Sequence, residues 1–133
     1  MTLLAKRQER SIVPRMYYIT TAIDYTNGPP HIGHAYEKVL ADVLARWHRM
    51  KGEEVYFLTG VDQHGQKVQQ TAEKLGITPQ EHVNNITGQF LALWNRLGIS
   101  NDGWASTTDP RHKACVQKIL TDLKDKGQLY KKS

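Results

Sequence analysis

An α/β fold built on a parallel sheet is what this chain of 133 residues predicts. Three observations carry that prediction. From Met16 onward, strand-like and helix-like segments alternate, the pattern of parallel strands joined by right-handed helical crossovers. The run Val55 to Val61 is apolar without alternation, as suits a strand buried on both faces. Helix starts and stops are marked by Thr78-Pro79, Asp109-Pro110, Gly52, Gly98 and Gly127.

Residues 1–15 are polar and basic, end near Pro14, and are expected to be a flexible basic arm; residues 16–133 form the domain. Residues 16–23 are rich in β-branched and aromatic types and predict the first strand. The following loop holds Asn27-Gly28-Pro29-Pro30, and its two prolines forbid a continuing strand. From Gly33 to Met50, Ala35, Val39, Leu40, Val43, Leu44, Trp47 and Met50 recur at helical spacing, and Gly52 stops the helix. After the strand at 55–61, Asp62-Gln63-His64-Gly65 leads into a second helix ending near Leu75-Gly76. Thr78-Pro79-Gln80-Glu81 supplies a cap, a first-turn proline and a capping-box glutamate. The third helix it starts presents Val83, Ile86, Phe90, Leu93, Trp94 and Leu97. A short strand near Trp104 to Thr107 precedes a last helix with Val116, Ile119, Leu120 and Leu123 on its apolar face.

Composition excludes more than it selects. Hydrophobic residues at 39% and charged residues at 23% are ordinary for a globular domain. The net charge of +5 is compatible with an anionic partner, but the basic residues are scattered and do not interleave with aromatics as in a dedicated RNA-binding module. The lone Cys115 rules out an internal disulfide, and no cysteine cluster offers zinc ligands. The N-terminal apolar stretch is too short for a signal-peptide core, and no apolar run approaches the ~20 residues that span a bilayer. A cytoplasmic protein, or one inside an organelle, is expected.

Two polar loops follow the first two strands, Asp24 to His34 and Thr59 to Gly65, and parallel neighbouring strands would place them side by side. His31 and His34 stand three apart where loop becomes helix, a spacing that brings both imidazoles to one side. A helix N-terminus suits phosphate, and two imidazole donors there would stabilise charge developing on it. Gly33 between them leaves room for close approach. Taken alone, the pair also reads as capping or surface histidines, or as half of a metal site lacking its remaining ligands. Asp62 could hold a ligand ammonium or hydroxyl, or simply cap the next helix.

The combination is more specific. His31-Ile32-Gly33-His34, preceded by a strand and by Tyr25-x-Asn27-Gly28, resembles the signature of the class I aminoacyl-tRNA synthetases. The string from Thr21 to His34, Gly60-Val61-Asp62-Gln63-His64-Gly65 and Thr107-Thr108-Asp109-Pro110-Arg111-His112 resemble the methionyl-tRNA synthetase branch in order and spacing, over nearly the whole chain from Met16. Departures are Asp24 where many members have proline, Gln63 for a frequent glutamate, and Ser106 where arginine often stands. The resemblance implies the first half of a Rossmann-like doubly wound parallel sheet. It implies activation of L-methionine by ATP, with Mg2+, to methionyl-adenylate, and transfer to tRNA(Met). It makes His31 and His34 catalytic; it puts Asn27, Gly33 and Glu37 with them at ATP, and Ala22, Ile23, Tyr25 and Asp62 at methionine.

The family's second signature, Lys-Met-Ser-Lys-Ser, does not occur, nor do anticodon-binding helices. The expectation is therefore a truncated chain or one piece of a split enzyme, needing the remainder of the catalytic domain, inactive alone and without membrane attachment. Zinc, if the parent uses it, belongs to an insertion beyond Ser133, and no metal is expected in this chain. Rival readings are a class I synthetase for valine, leucine, isoleucine or cysteine, a small nucleotidyltransferase with a His-x-x-His loop, and a nucleotide-binding module without catalysis.

Overall fold

The computed structural model describes residues 16–132, so the arm expected over residues 1–15 lies outside the described residues. The elements run β1 (Tyr17–Thr20), β2 (Asp24–Tyr25), α1 (Ile32–Met50), β3 (Val55–Asp62), α2 (Gln66–Leu75), α3 (Pro79–Leu97), β4 (Gly103–Ser106) and α4 (Pro110–Asp125). All strand pairings are parallel, and all are made to β3. Leu58 lies between Thr20 and Gly103, and Val61 between Asp24 and Ser106. β1 and β2 therefore run along one edge of β3, and β4 along the other.

The single strand expected at 16–23 is thus interrupted. β1 pairs Tyr17 with Val55, whereas β2 pairs Asp24 with Val61, so the register slips by one residue across Thr21–Ile23. Such a bulge bends the strand and takes backbone groups out of the ladder. Periodicity does not reveal it, because every residue from Tyr17 to Tyr25 is compatible with extended backbone.

From β1 to β3 to β4 the chain moves across the sheet in one direction. Right-handed crossovers then put both connections on the same face. Phe57 packs on Ala41 and Ala45 of α1, and Val61, four residues on and on the same face, packs on Ile86, Phe90 and Trp94 of α3. This is one winding direction of a doubly wound sheet.

Helix α1 forms where expected, but its buried stripe is different from its most apolar one. Lys38, Ala41, Asp42 and Ala45 face inward, while Val39, Leu40, Val43, Leu44, Trp47 and Met50 are exposed, Val43 by 56%. The reason is steric: small alanines let the helix lie directly on Phe57, and the bulky residues occupy the opposite side. Asp42 earns its inward place by accepting from Ser100 N–H (2.7 Å) and Arg46 Nε (2.6 Å), which ties α1 to the segment before β4. The apolar residues of α4 are likewise not a core contact, since none of its residues is buried.

The cap signals behave as expected. Thr78 and Glu81 exchange reciprocal hydrogen bonds, Asp109 accepts from Arg111 N–H at 2.8 Å, and Gly76 and Gly98 end their helices in the left-handed conformation. Phe90 and Trp94 are the pillars of the α3 contact, 0% and 2% exposed, with ring centroids 5.8 Å apart. Truncation of Phe90 to alanine removes both transfer energy and packing, so Phe90→Ala is expected to lower the unfolding free energy by about 3–5 kcal/mol in chemical denaturation.

Candidate active site

The carboxyl ends of β2, β3 and β4 meet the start of α1 at one end of the sheet, where ligands bind in folds of this kind. The first feature there is the bulge. Ala22, Ile23 and Tyr25 are exposed at it. The backbone of Ala22 is satisfied by side chains of α1 instead of by a strand. Its N–H donates to Glu37 Oε1 (3.0 Å), and its carbonyl accepts from Lys38 Nζ (3.0 Å) and from the hydroxyl of the neighbouring Thr21 (2.9 Å). Burial pushes the Glu37 carboxyl up, but the Ala22 N–H and Lys38 outweigh it and hold the group below its ordinary value. Lys38 also donates to Asp24 Oδ1 and Glu37 Oε2, each at 2.9 Å. Asp24 is one half of a buried ion pair.

The second feature is the start of α1. His31 is the N-cap: its Nδ1 accepts from Gly33 N–H at 3.1 Å, and His34 Nδ1 accepts from His31 N–H at 3.1 Å. Two histidines thus form the reciprocal arrangement usually made by Ser or Thr with Glu. The capping reading is correct as structure, and it has a chemical consequence. Each Nδ1 is an acceptor, so each neutral ring carries its proton on Nε2. The rings lie 3.8 Å apart between centroids and 30° from parallel. Two N–H donors are therefore held together at a helix N-terminus that has no acidic residue in its first turn. Burial holds His34 below the ordinary imidazole value, outweighing the Asp24 carboxylate, and His31 and Lys38 add to the depression. The room at Gly33 is filled by the His31 ring, whose Cε1 lies 3.0 Å from where a Cβ would stand.

The third feature is the loop after β3. Asp62 is not a helix cap, because the N-cap of α2 is Gly65. Its Oδ1 accepts from His64 N–H (3.3 Å) and Thr107 Oγ1 (3.4 Å), and its carbonyl accepts from both the N–H and the hydroxyl of Thr26 (3.0 Å each). Asp62 is thereby tied to the loop before α1 and to the loop after β4. Tyr25 closes the arrangement: a Cβ on Gly65 would lie 1.7 Å from its hydroxyl, and Gly65 has φ +144°. The two other departures belong together. Gln63 Oε1 accepts from the hydroxyls of Ser106 and Thr108, and its Nε2 donates to Thr87 at 2.9 Å. The neutral Gln63 amide is thus surrounded by hydroxyl partners.

Comparison with known proteins fits this geometry. The family model described as "tRNA synthetases class I (M)" matches residues 17–133. The chain belongs to the class I tRNA synthetases of this M group. It is 49% identical over 118 residues to the methionine–tRNA ligase of Streptomyces coelicolor, covering 88% of this chain and 22% of that protein. It is 50% identical over 117 residues to that of Rhizobium meliloti, covering 88% and 23%. The chain therefore spans less than a quarter of the length of these relatives. Among solved structures, Mycobacterium tuberculosis methionyl-tRNA synthetase in complex with methionyl-adenylate superposes with a TM-score of 0.81 at 37% identity, over 85% of this chain and 22% of that one. The leucyl enzyme of Agrobacterium radiobacter, in its ternary complex with tRNA, reaches 0.83 at 27% identity over 92% and 16%. The family match displaces the small-nucleotidyltransferase reading.

In this class I synthetase chain the fold gathers Ala22, Ile23, Tyr25, His31, Gly33, His34, Glu37 and Asp62 at one end of the sheet. Asn27 lies exposed in the turn between β2 and α1 and hydrogen-bonds to none of them. Sequence reasoning overlooked Lys38 and Thr107. A lysine inside an amphipathic pattern reads as solvated, and only the bulge it serves shows otherwise. Thr107 lay within a matched motif, and its contact with Asp62 depends on β4 pairing beside β3.

Two measurements check this geometry. Gly65→Ala must displace Tyr25 and adopt a strained φ, so a loss of about 1–3 kcal/mol is expected in chemical denaturation, whereas Gly28→Ala, where a Cβ meets nothing within 4 Å, should be close to neutral. The His34 cap needs the unprotonated ring. Its folded value lies below the ordinary 6.5, so the stability it contributes is complete above that value and is lost as pH falls through the depressed one. His34→Gln keeps an acceptor without the titration, so its thermal stability should fall less than that of wild type between neutral and mildly acidic pH.

Proposed function

We propose that this chain is the N-terminal part of the catalytic domain of a methionine–tRNA ligase. The single observation that carries the reading is the paired histidine cap beside the Asp62 loop. It joins two preorganised N–H donors for a phosphate to a carboxylate for an ammonium, on adjacent carboxyl ends of a parallel sheet. The methionyl-adenylate complex among the structural neighbours supports the same assignment.

The proposed reaction has two steps. The methionine carboxylate attacks the α-phosphate of ATP, pyrophosphate leaves, and methionyl-adenylate forms. The terminal ribose hydroxyl of tRNA(Met) then attacks the activated carbonyl, and AMP leaves. No protein nucleophile is needed, so the protein contributes by positioning and by stabilising charge. His31 and His34 donate through Nε2 to the phosphate oxygens as charge builds on them. Gly33 and the start of α1 lie against the nucleotide, with Asn27 at its rim. Asp62, held through Oδ1 by Thr107, offers Oδ2 to the methionine ammonium. Ala22, Ile23 and Tyr25 form the apolar wall for the thioether, a soft side chain recognised by contact. Glu37 acts at second hand in this scheme, since its carboxylate holds the Ala22 N–H.

Mg2+ accompanies ATP in this reading as the counter-ion of its phosphates. Among the described residues no group of three His, Cys, Asp or Glu side chains is placed to hold a metal. Zinc, if the parent enzyme uses it, belongs to an insertion outside this sequence. The cytoplasm is the proposed location, as translation requires; none of the described helices is long and apolar enough to cross a membrane.

Pyrophosphate exchange tests the reading. Joined to the remainder of the catalytic domain, the chain should support exchange that depends on methionine and not on leucine, isoleucine, valine or cysteine; alone, it should support none. His31→Ala or His34→Ala should lower kcat for exchange by about 10²-fold or more, the usual cost of one preorganised donor. Asp62→Asn should raise KM for methionine by about tenfold or more, as expected for losing a charge-assisted hydrogen bond. Exchange driven by another amino acid, or unaffected by both histidine variants, contradicts the proposal.

A further inference from the structure

Lys38 has no role in the chemistry above, yet its side chain is fully buried. Its ammonium uses all three donors, on Ala22 O, Asp24 Oδ1 and Glu37 Oε2, and lies 5.7 Å from the centre of the Trp94 ring. An arrangement of this kind is expensive. Buried ion pairs commonly stabilise a fold no better than apolar residues of the same volume. Here Asp24 leaves Oδ2 buried without a hydrogen-bond partner, so even the pair is incompletely satisfied. Stability alone does not account for it.

Its contacts suggest what does. The bulge removes the N–H and carbonyl of Ala22 from the β ladder, and neighbouring residues of one helical turn, Glu37 and Lys38, take one each. Lys38 also fixes Glu37 and Asp24, so the bulge is held at Ala22 from both its backbone groups and at Asp24 by its side chain. The same helix begins with His31 and His34. A displacement of the bulge relative to α1 would change the distance between the two halves of the site.

We propose that Lys38 is a positioning residue for amino-acid binding, which sets the Ala22–Asp24 bulge against α1 through Asp24 and Glu37. The proposal rests on the reading that this bulge forms the wall of the methionine pocket.

The test uses the complete ligase and three forms: wild type, Lys38→Met, and Lys38→Met combined with Asp24→Asn. Lys38→Met alone strands the Asp24 carboxylate in the interior and should lower Tm markedly. The double variant removes both charges, and its Tm should return close to wild type. Its KM for methionine should nevertheless stay raised by about tenfold or more, with KM for ATP within about twofold, because the tie from α1 to the Ala22 carbonyl and the brace on Glu37 stay lost. Hydrogen exchange at the Ala22 amide should be faster in the double variant, with the Phe57 amide unchanged. A double variant with wild-type KM for methionine and wild-type Ala22 protection overturns the proposal. So does one in which Tm stays low and both KM values rise together, the signature of a purely structural role. If exchange depends on a different amino acid, the methionine reading falls, and KM for that amino acid tests Lys38 in the same way. If wild type supports no exchange, the functional reading fails, and Ala22 protection alone decides whether Lys38 holds the bulge.

Discussion

Parallel pairing along both edges of β3 is the constraint on which the rest depends. A strand with parallel neighbours on each side must be approached by crossovers, and the crossovers are α1 before β3 and α2 with α3 between β3 and β4, both on one face of the sheet. Parallel direction also sends the carboxyl ends of β2, β3 and β4 to the same end of the sheet. That is why Tyr25, Asp62 and Thr107, which are far apart in sequence, hydrogen-bond or pack within one site. The apolar face of β3 supplies the means: Phe57 and Val61 anchor the two helices, and the strand between them has no freedom to slip without turning those side chains to the other face.

On this frame the site is assembled from deviations from regular structure. The strand along one edge of β3 is broken by a bulge, the helix that follows is capped by histidines in place of the usual Ser or Thr, and α2 begins at a glycine with φ +144°. Each deviation exposes backbone polar groups or a side chain that a regular element would have occupied. Each is compensated by a named partner: Glu37 and Lys38 for the bulge, Nδ1 of the two rings for the helix start, Tyr25 over Gly65 for the loop. Two such partners, the rings, also carry the chemistry, and their capping bonds decide which nitrogen faces a ligand. Structure and function therefore share the same hydrogen bonds, and a substitution at either histidine affects both.

The order of elements was legible in the sequence because each boundary has a local chemical cause. Thr78-Pro79 with Glu81, Asp109-Pro110 and the glycines after α2 and α3 act within one turn and need no tertiary context. The candidate site was legible as a motif, since His31, His34 and Asp62 stand in loops that periodicity leaves unexplained. What was not legible depends on which face of an element meets the sheet. In α1 two stripes compete, and the more apolar one loses because alanines allow a closer approach to Phe57. Lys38 lies on the winning stripe, so its burial was hidden for the same reason. The contact between Gln63 and Ser106 likewise appears only when β4 is placed beside β3.

The central claim is that the histidine cap and the bulge beside Asp62 are the two ends of one ligand site. The most direct measurement is a crystal structure of the complete catalytic domain with a non-hydrolysable methionyl-adenylate analogue. The account predicts the phosphate group within hydrogen-bonding distance of Nε2 of both His31 and His34, the ammonium on Asp62, and the methionine side chain against Ala22, Ile23 and Tyr25. An analogue bound with its phosphate away from the start of α1, or its amino-acid end away from the Ala22 bulge, would contradict it.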